Sequence, residues 1–303
     1  MRPAATPAEG PDPYGNPEAE PEWMRARWGR HLRSTEALGT PVNHVDIGSG
    51  EPALVFVHGL SGSWQNWLEN VPHFASSRRV VALDLPGFGD SPMPPWEITM
   101  EAYGRLLAAL CDALGVGECV VVGNSLGGFV AAEAVTRDQR RFEKLVLVSA
   151  AGISHATMRR RPAEALGRVA AATAPIGLTW QERALRRSRL RYLGFRQLVH
   201  RPLALRRELL WEQFHHGAAK PGFLPAFSAL VGYDILDQLS EVEVQTLIVW
   251  GRNDRIVPVG DAAGYARRLR NSRTVIFADT GHMPQLERPV RFNRVLEGFI
   301  AEP

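Results

Sequence analysis

Short apolar runs alternate with stretches of helical periodicity from Arg33 to the end of the chain. The central runs, such as Ala-Leu-Val-Phe-Val at 53–57 and Cys-Val-Val-Val at 119–122, are continuously hydrophobic. Strands covered on both faces of a parallel sheet show this pattern. We therefore predict an α/β fold with a mainly parallel sheet. Its strands are expected at 33–38, 42–47, 53–57, 79–83, 119–122, 144–149, 246–250 and 273–277, and its helices at 99–114, 126–137, 259–270 and 284–300.

The alternation stops between 152 and 232, where the chain is helical and rich in arginine. One helical run in this segment begins at Pro202 and ends at Gly217, residue types that favour these positions at helix ends. Helices inserted between two strands of a sheet are typical of a lid. We predict a helical cap over 152–232 and a core domain formed by 23–151 and 233–303.

The start of the chain has a different composition. Residues 1–22 hold six prolines and five acidic residues, with no hydrophobic period. Such a segment has too little apolar surface to bury to offset the entropy of ordering its backbone. We expect a disordered tail over 1–22, followed by a basic, aromatic stretch from Trp23 to Arg33 that packs on the domain surface.

The overall composition is that of a globular protein. Of 303 residues, 45% are hydrophobic, and no apolar run reaches the roughly 18 residues of a membrane-spanning helix, so stable membrane insertion is excluded. The net charge of +3 is too small to indicate nucleic-acid binding, although 151–220 contains fourteen basic and four acidic residues. Cys111 and Cys119 lack the neighbouring histidines or cysteines of a metal site, so we expect both to be buried thiols. No secretory signal is visible, so we expect a cytoplasmic protein.

The segment Gly123-Asn-Ser-Leu-Gly127 follows the apolar strand 119–122 and precedes a helical run. A strand that enters a helix through a tight turn forces the central residue into strained geometry, and flanking glycines remove side chains that would clash. The hydroxyl of Ser125 is then presented above the sheet. Ser125 is therefore a candidate nucleophile, although the same residues also suit a plain turn with a helix cap.

A serine hydroxyl needs a nearby base and a third group that orients this base. His282 fits the base because it follows the last predicted strand, and strand ends present side chains at the carboxyl edge of a sheet. Asp254 follows strand 246–250 in the same way. The chain order Ser125, Asp254, His282 matches one known triad architecture. The rival carboxylates are Asp279, Asp234 and Asp237.

An oxyanion hole needs two backbone N–H groups directed at the carbonyl oxygen on which charge develops. The Leu126 N–H, next to the candidate nucleophile, is one such group. The Leu60 N–H in His58-Gly59-Leu60 is the other, and Gly59 allows the backbone to bend. The glycines and aspartates of 84–91 are expected to form structural turns, and His155 in the inserted segment is expected to be a surface or lid residue.

Five motifs together resemble the α/β-hydrolase superfamily, in its capped branch, over residues 33–300. The resemblance implies an eight-stranded, mostly parallel sheet with strand 2 antiparallel, helices on both faces, a cap after strand 6 and a Ser-His-Asp triad. It implies no metal or organic cofactor, and Ser125 sets the chain apart from the branches that use aspartate as nucleophile. The motifs are His58-Gly59, Asp84-Leu-Pro-Gly-Phe-Gly89, Gly123-Asn-Ser-Leu-Gly127, Gly251-Arg-Asn-Asp254 and Gly281-His282.

Within this superfamily, Asn124 and the Gly-Arg-Asn-Asp segment are similar to carbon–carbon hydrolases of aromatic degradation, whereas Leu60-Ser61 and Met283 depart from their pattern. We predict a serine hydrolase, a monomer or homodimer, that cleaves a small or medium carboxylic ester. The alternatives are carbon–carbon hydrolysis of a vinylogous diketone acid and, third, a non-enzymatic ligand-binding protein on the same fold. The candidate substrate-binding residues are Asn124, Trp64, Trp180, Trp211 and Phe214.

Overall fold

A computed structural model describes residues 10–158, 185–217 and 219–302 and places eight strands in one sheet. The strand order is β1-β2-β4-β3-β5-β6-β7-β8. β2 pairs antiparallel with β1 and β4, and the other neighbours pair parallel, which confirms the predicted sheet. The strands are β1 (Leu32–Ala37), β2 (Thr40–Ile47), β3 (Ala53–Val57), β4 (Val80–Leu83), β5 (Cys119–Asn124), β6 (Phe142–Val148), β7 (Gln245–Gly251) and β8 (Ser272–Phe277).

Helices cover both faces of this sheet, as predicted. Successive residues of β3 point to opposite faces: Val55 packs in one hydrophobic cluster with Leu106, and Leu54 packs in the other with Phe292. The α-helices are α1 (Glu22–Arg25), α2 (Val71–Ala75), α3 (Met100–Ala113), α4 (Leu126–Arg137), α5 (Ile153–Ala156), α6 (Ser188–Phe195), α7 (Arg207–Gly217), α8 (Phe223–Leu230), α9 (Gly260–Arg268), α10 (Pro284–Glu287) and α11 (Pro289–Ile300). Within the described ranges, no helix combines the length and the apolar character needed to cross a membrane.

The predicted single helix over 284–300 is wrong, because the chain breaks it into α10 and α11 at Arg288. Arg288 has φ of −134° and ψ of 54°, outside the helical region. Pro289 follows it, and a proline both disfavours helical geometry in the preceding residue and lacks the N–H that would continue the helix. The break places the short helix α10 directly after the loop that carries His282.

The C-terminal helix α11 ends on a buried lysine. Lys144 of β6 is 3% exposed, and its ammonium group donates hydrogen bonds to the carbonyls of Phe299 (2.9 Å), Ile300 (3.2 Å) and Glu302. The last carbonyls of a helix have no partner within the helix and carry partial negative charge. Lys144 therefore joins the end of α11 to the centre of the sheet.

The predicted disordered tail over 1–22 is wrong for residues 10–22, which are described and lie against the core domain. Asn16 donates to the carboxylate of Glu69 (2.8 Å), and Arg291 donates to the carboxylate of Asp12 (3.0 Å). The segment has no hydrophobic period, so its attachment through polar side chains left no periodic signal in the sequence. We call residues 10–21 the N-terminal segment.

The helices α5 to α8 lie between β6 and β7, the position at which the cap was predicted. Part of that cap, residues 159–184 and 218, falls outside the described residues. The helix α7 lies close to the loop that follows β3, because a methyl group built on Gly217 would stand 2.0 Å from the Ser61 carbonyl oxygen. The boundaries of the cap at 152 and 232 stay a prediction.

Candidate active site

Ser125 occupies the turn between β5 and α4, with φ of 55° and ψ of −118°. Positive φ is strained for a residue with a side chain and persists only where the surroundings fix it. Here the Ser125 N–H donates to the Val148 carbonyl (3.0 Å), and the Ser125 carbonyl accepts from the Ala151 N–H (3.0 Å). Both bonds tie the turn to the end of β6 and hold the strained residue.

The glycines around Ser125 are required by close approach of the backbone. A methyl group on Gly123 would lie 2.2 Å from the Gly127 carbonyl oxygen, and one on Gly127 would lie 2.3 Å from the Val57 carbonyl oxygen. The turn therefore packs directly on the end of β3. This packing brings the loop after β3 next to Ser125, with Gly59 close to the serine side chain.

His282 and Asp254 form a buried pair. The Nδ1 atom of His282 lies 2.8 Å from Oδ2 of Asp254, and the two side chains are 4% and 0% exposed. The other carboxylate oxygen accepts the N–H groups of Ile256 (2.8 Å) and Val257 (3.0 Å). A carboxylate on Nδ1 holds the proton on that nitrogen, so Nε2 is the atom able to accept a proton.

The rival carboxylates do not contact His282 in this arrangement. Asp279 is exposed and pairs with Arg201 at 2.7 Å. Asp234 is exposed and accepts the N–H of Leu236 (2.8 Å) in its own turn. Of the predicted acids, Asp254 is the one whose carboxylate is bonded to His282.

Leu60 and Leu126 border the same cavity as Ser125 and His282. Leu126 is the first residue of α4, and the first N–H groups of a helix lack partners within the helix. The loop that carries Leu60 is fixed by the buried His58, whose Nδ1 lies 2.7 Å from the Gly59 carbonyl oxygen and whose Nε2 accepts the Leu85 N–H (2.9 Å). Burial lowers the pKa of His58, so the neutral ring serves as a bridge between two loops.

Asp84 has a structural role, as expected for its loop. One carboxylate oxygen accepts the N–H of Trp64 (2.7 Å), and the other accepts Asn43 Nδ2 (2.7 Å) and the N–H of Asp90 (2.9 Å). These bonds join the loops after β3 and β4. Both carboxylate oxygens of Asp84 are thereby occupied by bonds that hold these loops together.

The cavity in front of Ser125 has a volume of ≈ 320 Å³. Apolar side chains from the cap and from the loops after β7 and β8 form its wall. Among the described lining residues there is no arginine or lysine, and the described chain holds no cluster of three metal-binding side chains. The residues of the apolar wall are Leu198, Phe223, Phe227, Leu230, Ile256, Val257 and Met283.

Three of the predicted substrate-binding residues pack elsewhere. Trp64 lies against Trp28, with ring centroids 4.9 Å apart, and Trp211 is stacked on His215, also at 4.9 Å. Phe214 is half-buried, meets the edge of the Phe195 ring of the cap and packs against the hydrophobic core. Each of the three rings packs against another aromatic ring and does not border the cavity, so the prediction that these three residues bind substrate is wrong. Trp180 lies outside the described residues.

Asn124 does border the cavity, but its amide nitrogen is occupied by the backbone. Its Nδ2 donates to the Val148 carbonyl (3.0 Å) and to the His282 carbonyl (3.3 Å). Asn124 therefore links the turn of Ser125 to the loop of His282. This contact gives Asn124 a role in holding the two loops together.

Several residues that border the cavity were not among the predicted substrate-binding residues. Phe223, Phe227 and Leu230 lie at helical spacing i, i+4 and i+7, a signal for one apolar face that was available in the sequence. His155 borders the cavity because it follows β6, whose carboxyl end meets the same sheet edge as β5 and β7. Burial lowers the pKa of His155, and Asp261 partly opposes this change.

The strained turn after β5 opens into a cavity covered by inserted helices, and beside it a histidine is buried on a carboxylate. That organisation is typical of hydrolases in which a parallel sheet carries the reacting groups. A sequence model of the alpha/beta hydrolase fold matches residues 52–289. The chain belongs to this family.

Proteins similar to this chain include hydrolases of two kinds. The chain is 30% identical, over 89% of its length and 94% of the relative's, to the 2-hydroxymuconate semialdehyde hydrolase of Pseudomonas sp. (strain CF600). A thermophilic esterase from Thermogutta terrifontis is 25% identical with a TM-score of 0.71, covering 89% of this chain and 97% of that one. The meta-cleavage product hydrolase from Pseudomonas fluorescens IP01, at 22% identity and a TM-score of 0.69 over 88% and 97% of the two chains, shares the fold. These relatives indicate a hydrolase.

Proposed function

We propose that the protein is a serine hydrolase in which Ser125, His282 and Asp254 form a catalytic triad. The observation that carries this proposal is the strained Ser125 turn in one cavity with His282, whose Nδ1 is bonded to the buried Asp254. Ser125 attacks a carbonyl carbon while Nε2 of His282 takes its proton. The N–H groups of Leu60 and Leu126 stabilise the resulting oxyanion. His282 then protonates the leaving group, and an activated water molecule releases the acid.

The substrate we propose is a small or medium ester whose groups are uncharged and apolar. The cavity, at ≈ 320 Å³, is in the range of small-molecule sites, which span roughly 300–1,000 Å³. Its described wall is formed largely by apolar side chains, with the polar side chains of Asn66, His155 and Gln213 beside them, and contains no arginine or lysine. Among these described residues an anionic group would find no arginine or lysine to offset the loss of its hydration.

Carbon–carbon hydrolysis of a vinylogous diketone acid is the second candidate. The 30% identity to a 2-hydroxymuconate semialdehyde hydrolase over nearly the whole chain favours it. Such a substrate carries a carboxylate, which proteins usually bind with arginine. The described lining of the cavity supplies no such partner, so we place ester hydrolysis first.

The test compares two substrate classes and two serine variants. p-Nitrophenyl esters of increasing acyl length and a chromophoric dienoate ring-fission product are assayed with wild type, Ser125→Ala and Ser228→Ala. We expect kcat/KM to be highest for an uncharged ester and Ser125→Ala to lower kcat by about 10³-fold or more. Ser228 lies on α8 away from this cavity, so Ser228→Ala should retain wild-type turnover.

Two results would contradict the proposal. Wild-type turnover by Ser125→Ala would remove Ser125 from the reaction. If kcat/KM for cleavage of the dienoate exceeded that for hydrolysis of every ester, carbon–carbon hydrolysis would replace ester hydrolysis as the proposed activity. The proposed triad would not be affected by that result.

A further inference from the structure

A second carboxylate lies beneath the loop of His282. Glu287, at the end of α10, is fully buried. Its two oxygens accept the N–H of Gly281 (2.9 Å each), and one of them also accepts the N–H of Met283 (3.2 Å). Gly281 and Met283 are the residues on either side of His282. One carboxylate therefore fixes the backbone on both sides of the proposed catalytic base.

The N-terminal segment reaches this carboxylate. The hydroxyl of Tyr14 donates to Oε2 of Glu287 (2.6 Å) and accepts the N–H of Arg201 (2.6 Å). The N–H of Gly15 donates to the Glu287 carbonyl (2.7 Å). Two consecutive residues of the segment thus bond to the side chain and to the backbone of the same glutamate.

At this junction the Tyr14 hydroxyl is the hydrogen-bond donor and a Glu287 carboxyl oxygen is the acceptor. Burial raises the pKa of Glu287, and the donors Tyr14, Gly281, His200 and Met283 oppose that rise. Burial and the nearby Glu287 charge raise the pKa of Tyr14, so its hydroxyl keeps its proton. A hydrogen bond from a neutral donor to a buried carboxylate is among the stronger kinds in proteins.

The loop of His282 is held from the other side by the cap. The His282 N–H donates to the Leu198 carbonyl (3.0 Å), and the His200 N–H donates to Glu287 Oε2 (2.7 Å). A methyl group on Gly281 would stand 2.8 Å from the His200 nitrogen, so this contact leaves little room. Tyr14, which does not border the cavity, adds a further hydrogen bond to Glu287.

We propose that Tyr14 is a positioning residue for His282, acting through Glu287, so that this one side chain of the N-terminal segment contributes to the catalytic architecture. The inference rests on the proposed function, because it assumes that His282 is the base. A small displacement of a catalytic base lowers the rate of the chemical step more than it weakens substrate binding. The predicted signature of Tyr14 is therefore a loss of kcat at nearly constant KM.

The variant Tyr14→Phe keeps the ring and removes the hydroxyl, and Asn16→Ala is its matched control. Asn16 lies two residues further along the same segment and gives one 2.8 Å bond to Glu69, away from the His282 loop. We expect Tyr14→Phe to lower kcat about 3- to 10-fold with KM within about twofold, and Asn16→Ala to change neither. Labelling of Ser125 by a fluorophosphonate should slow in parallel with kcat. The downfield proton resonance of His282 Nδ1–H should broaden in Tyr14→Phe alone.

All assays are run under conditions in which circular dichroism shows each variant to be folded. A second variant, Glu287→Asp, changes the acceptor of the Tyr14 hydrogen bond instead of the donor. It keeps the charge but shortens the reach, so kcat should again fall at nearly constant KM. Equal kcat values for Tyr14→Phe, Asn16→Ala and wild type, or a change confined to KM, would overturn the proposal. Failure of the proposed function is a separate result, namely no labelling of Ser125 in the wild type.

Discussion

The substitution Asp254→Asn tests the triad most directly, because the structure dictates how the asparagine must orient. Oδ1 of Asp254 accepts the N–H groups of Ile256 and Val257, at 2.8 and 3.0 Å, and Oδ2 accepts His282 Nδ1–H at 2.8 Å. Asparagine has one acceptor oxygen. Turning that oxygen toward His282 would leave two N–H groups facing an NH₂ group, at about 1–3 kcal/mol for each lost partner.

The asparagine oxygen is therefore expected to stay on the two backbone N–H groups, and its NH₂ group then faces Nδ1 of His282. Nδ1 must become an acceptor, which moves the imidazole proton to Nε2 and blocks proton transfer from Ser125. We expect kcat to fall about 10³- to 10⁴-fold, equivalent to about 4–5.5 kcal/mol of transition-state stabilisation.

The assay is ester turnover at pH 7.5, with Asp279→Asn as the matched control. Asp279 is the rival carboxylate three residues before His282, and it is exposed and paired with Arg201. An exposed ion pair contributes at most about 1 kcal/mol to stability, so this variant should keep kcat within about twofold. Turnover by Asp254→Asn within tenfold of wild type, or an equal loss in Asp279→Asn, would refute the assignment of the acid.

Three further predictions concern stability and the fit of the cap. Lys144→Met leaves the last carbonyls of α11 without their charged donor, and we expect a loss of about 2–4 kcal/mol, seen as a Tm lower by about 3–6 °C in scanning fluorimetry. An unchanged Tm would contradict that role. Gly217→Ala places a methyl group 2.0 Å from the Ser61 carbonyl oxygen, so α7 must move away from the loop of Leu60. We expect kcat/KM for esters to fall about tenfold. Wild-type kinetics would show that the loop and the helix can separate without affecting the site. Burial depresses the pKa of His58 below its ordinary value of 6.5, so the unfolded chain takes up the proton first and stability is lost as pH falls below about 6.5. His58→Gln should therefore show a smaller drop in Tm between pH 7.5 and 5.5 than wild type. Equal drops would show that protonation of His58 does not cause the loss of stability.

The fold was predictable because its signal is local and repeated. The buried strand β3 is found at the predicted residues 53–57, since a continuous apolar run is the pattern of a strand covered on both faces. Placement of His282 near Asp254 followed from topology, because the carboxyl ends of neighbouring parallel strands meet at one edge. The His282–Asp254 bond is the physical consequence of β7 and β8 being neighbours.

Side-chain partners were less predictable, because the sequence does not say which surface a residue faces. Trp64 and Phe214 have the size and polarity of pocket residues, yet each packs against another ring. Tyr14 lies in a segment with the composition of a disordered tail, and its attachment depends on Glu287, 273 positions away. A single long-range hydrogen bond leaves no periodicity and no local motif, so it was invisible until the fold was known.

The burial of Lys144 has a practical consequence for attaching the protein to surfaces or probes. The chain has two lysines, of which Lys144 is 3% exposed, with its ammonium group bonded to three carbonyls. Amine-directed reagents should therefore modify the side chain of Lys220, which lies between α7 and α8, in preference to that of Lys144. Of the two lysines in the sequence, Lys220 is the one through which a probe or a surface can be attached without breaking the bonds at the end of α11.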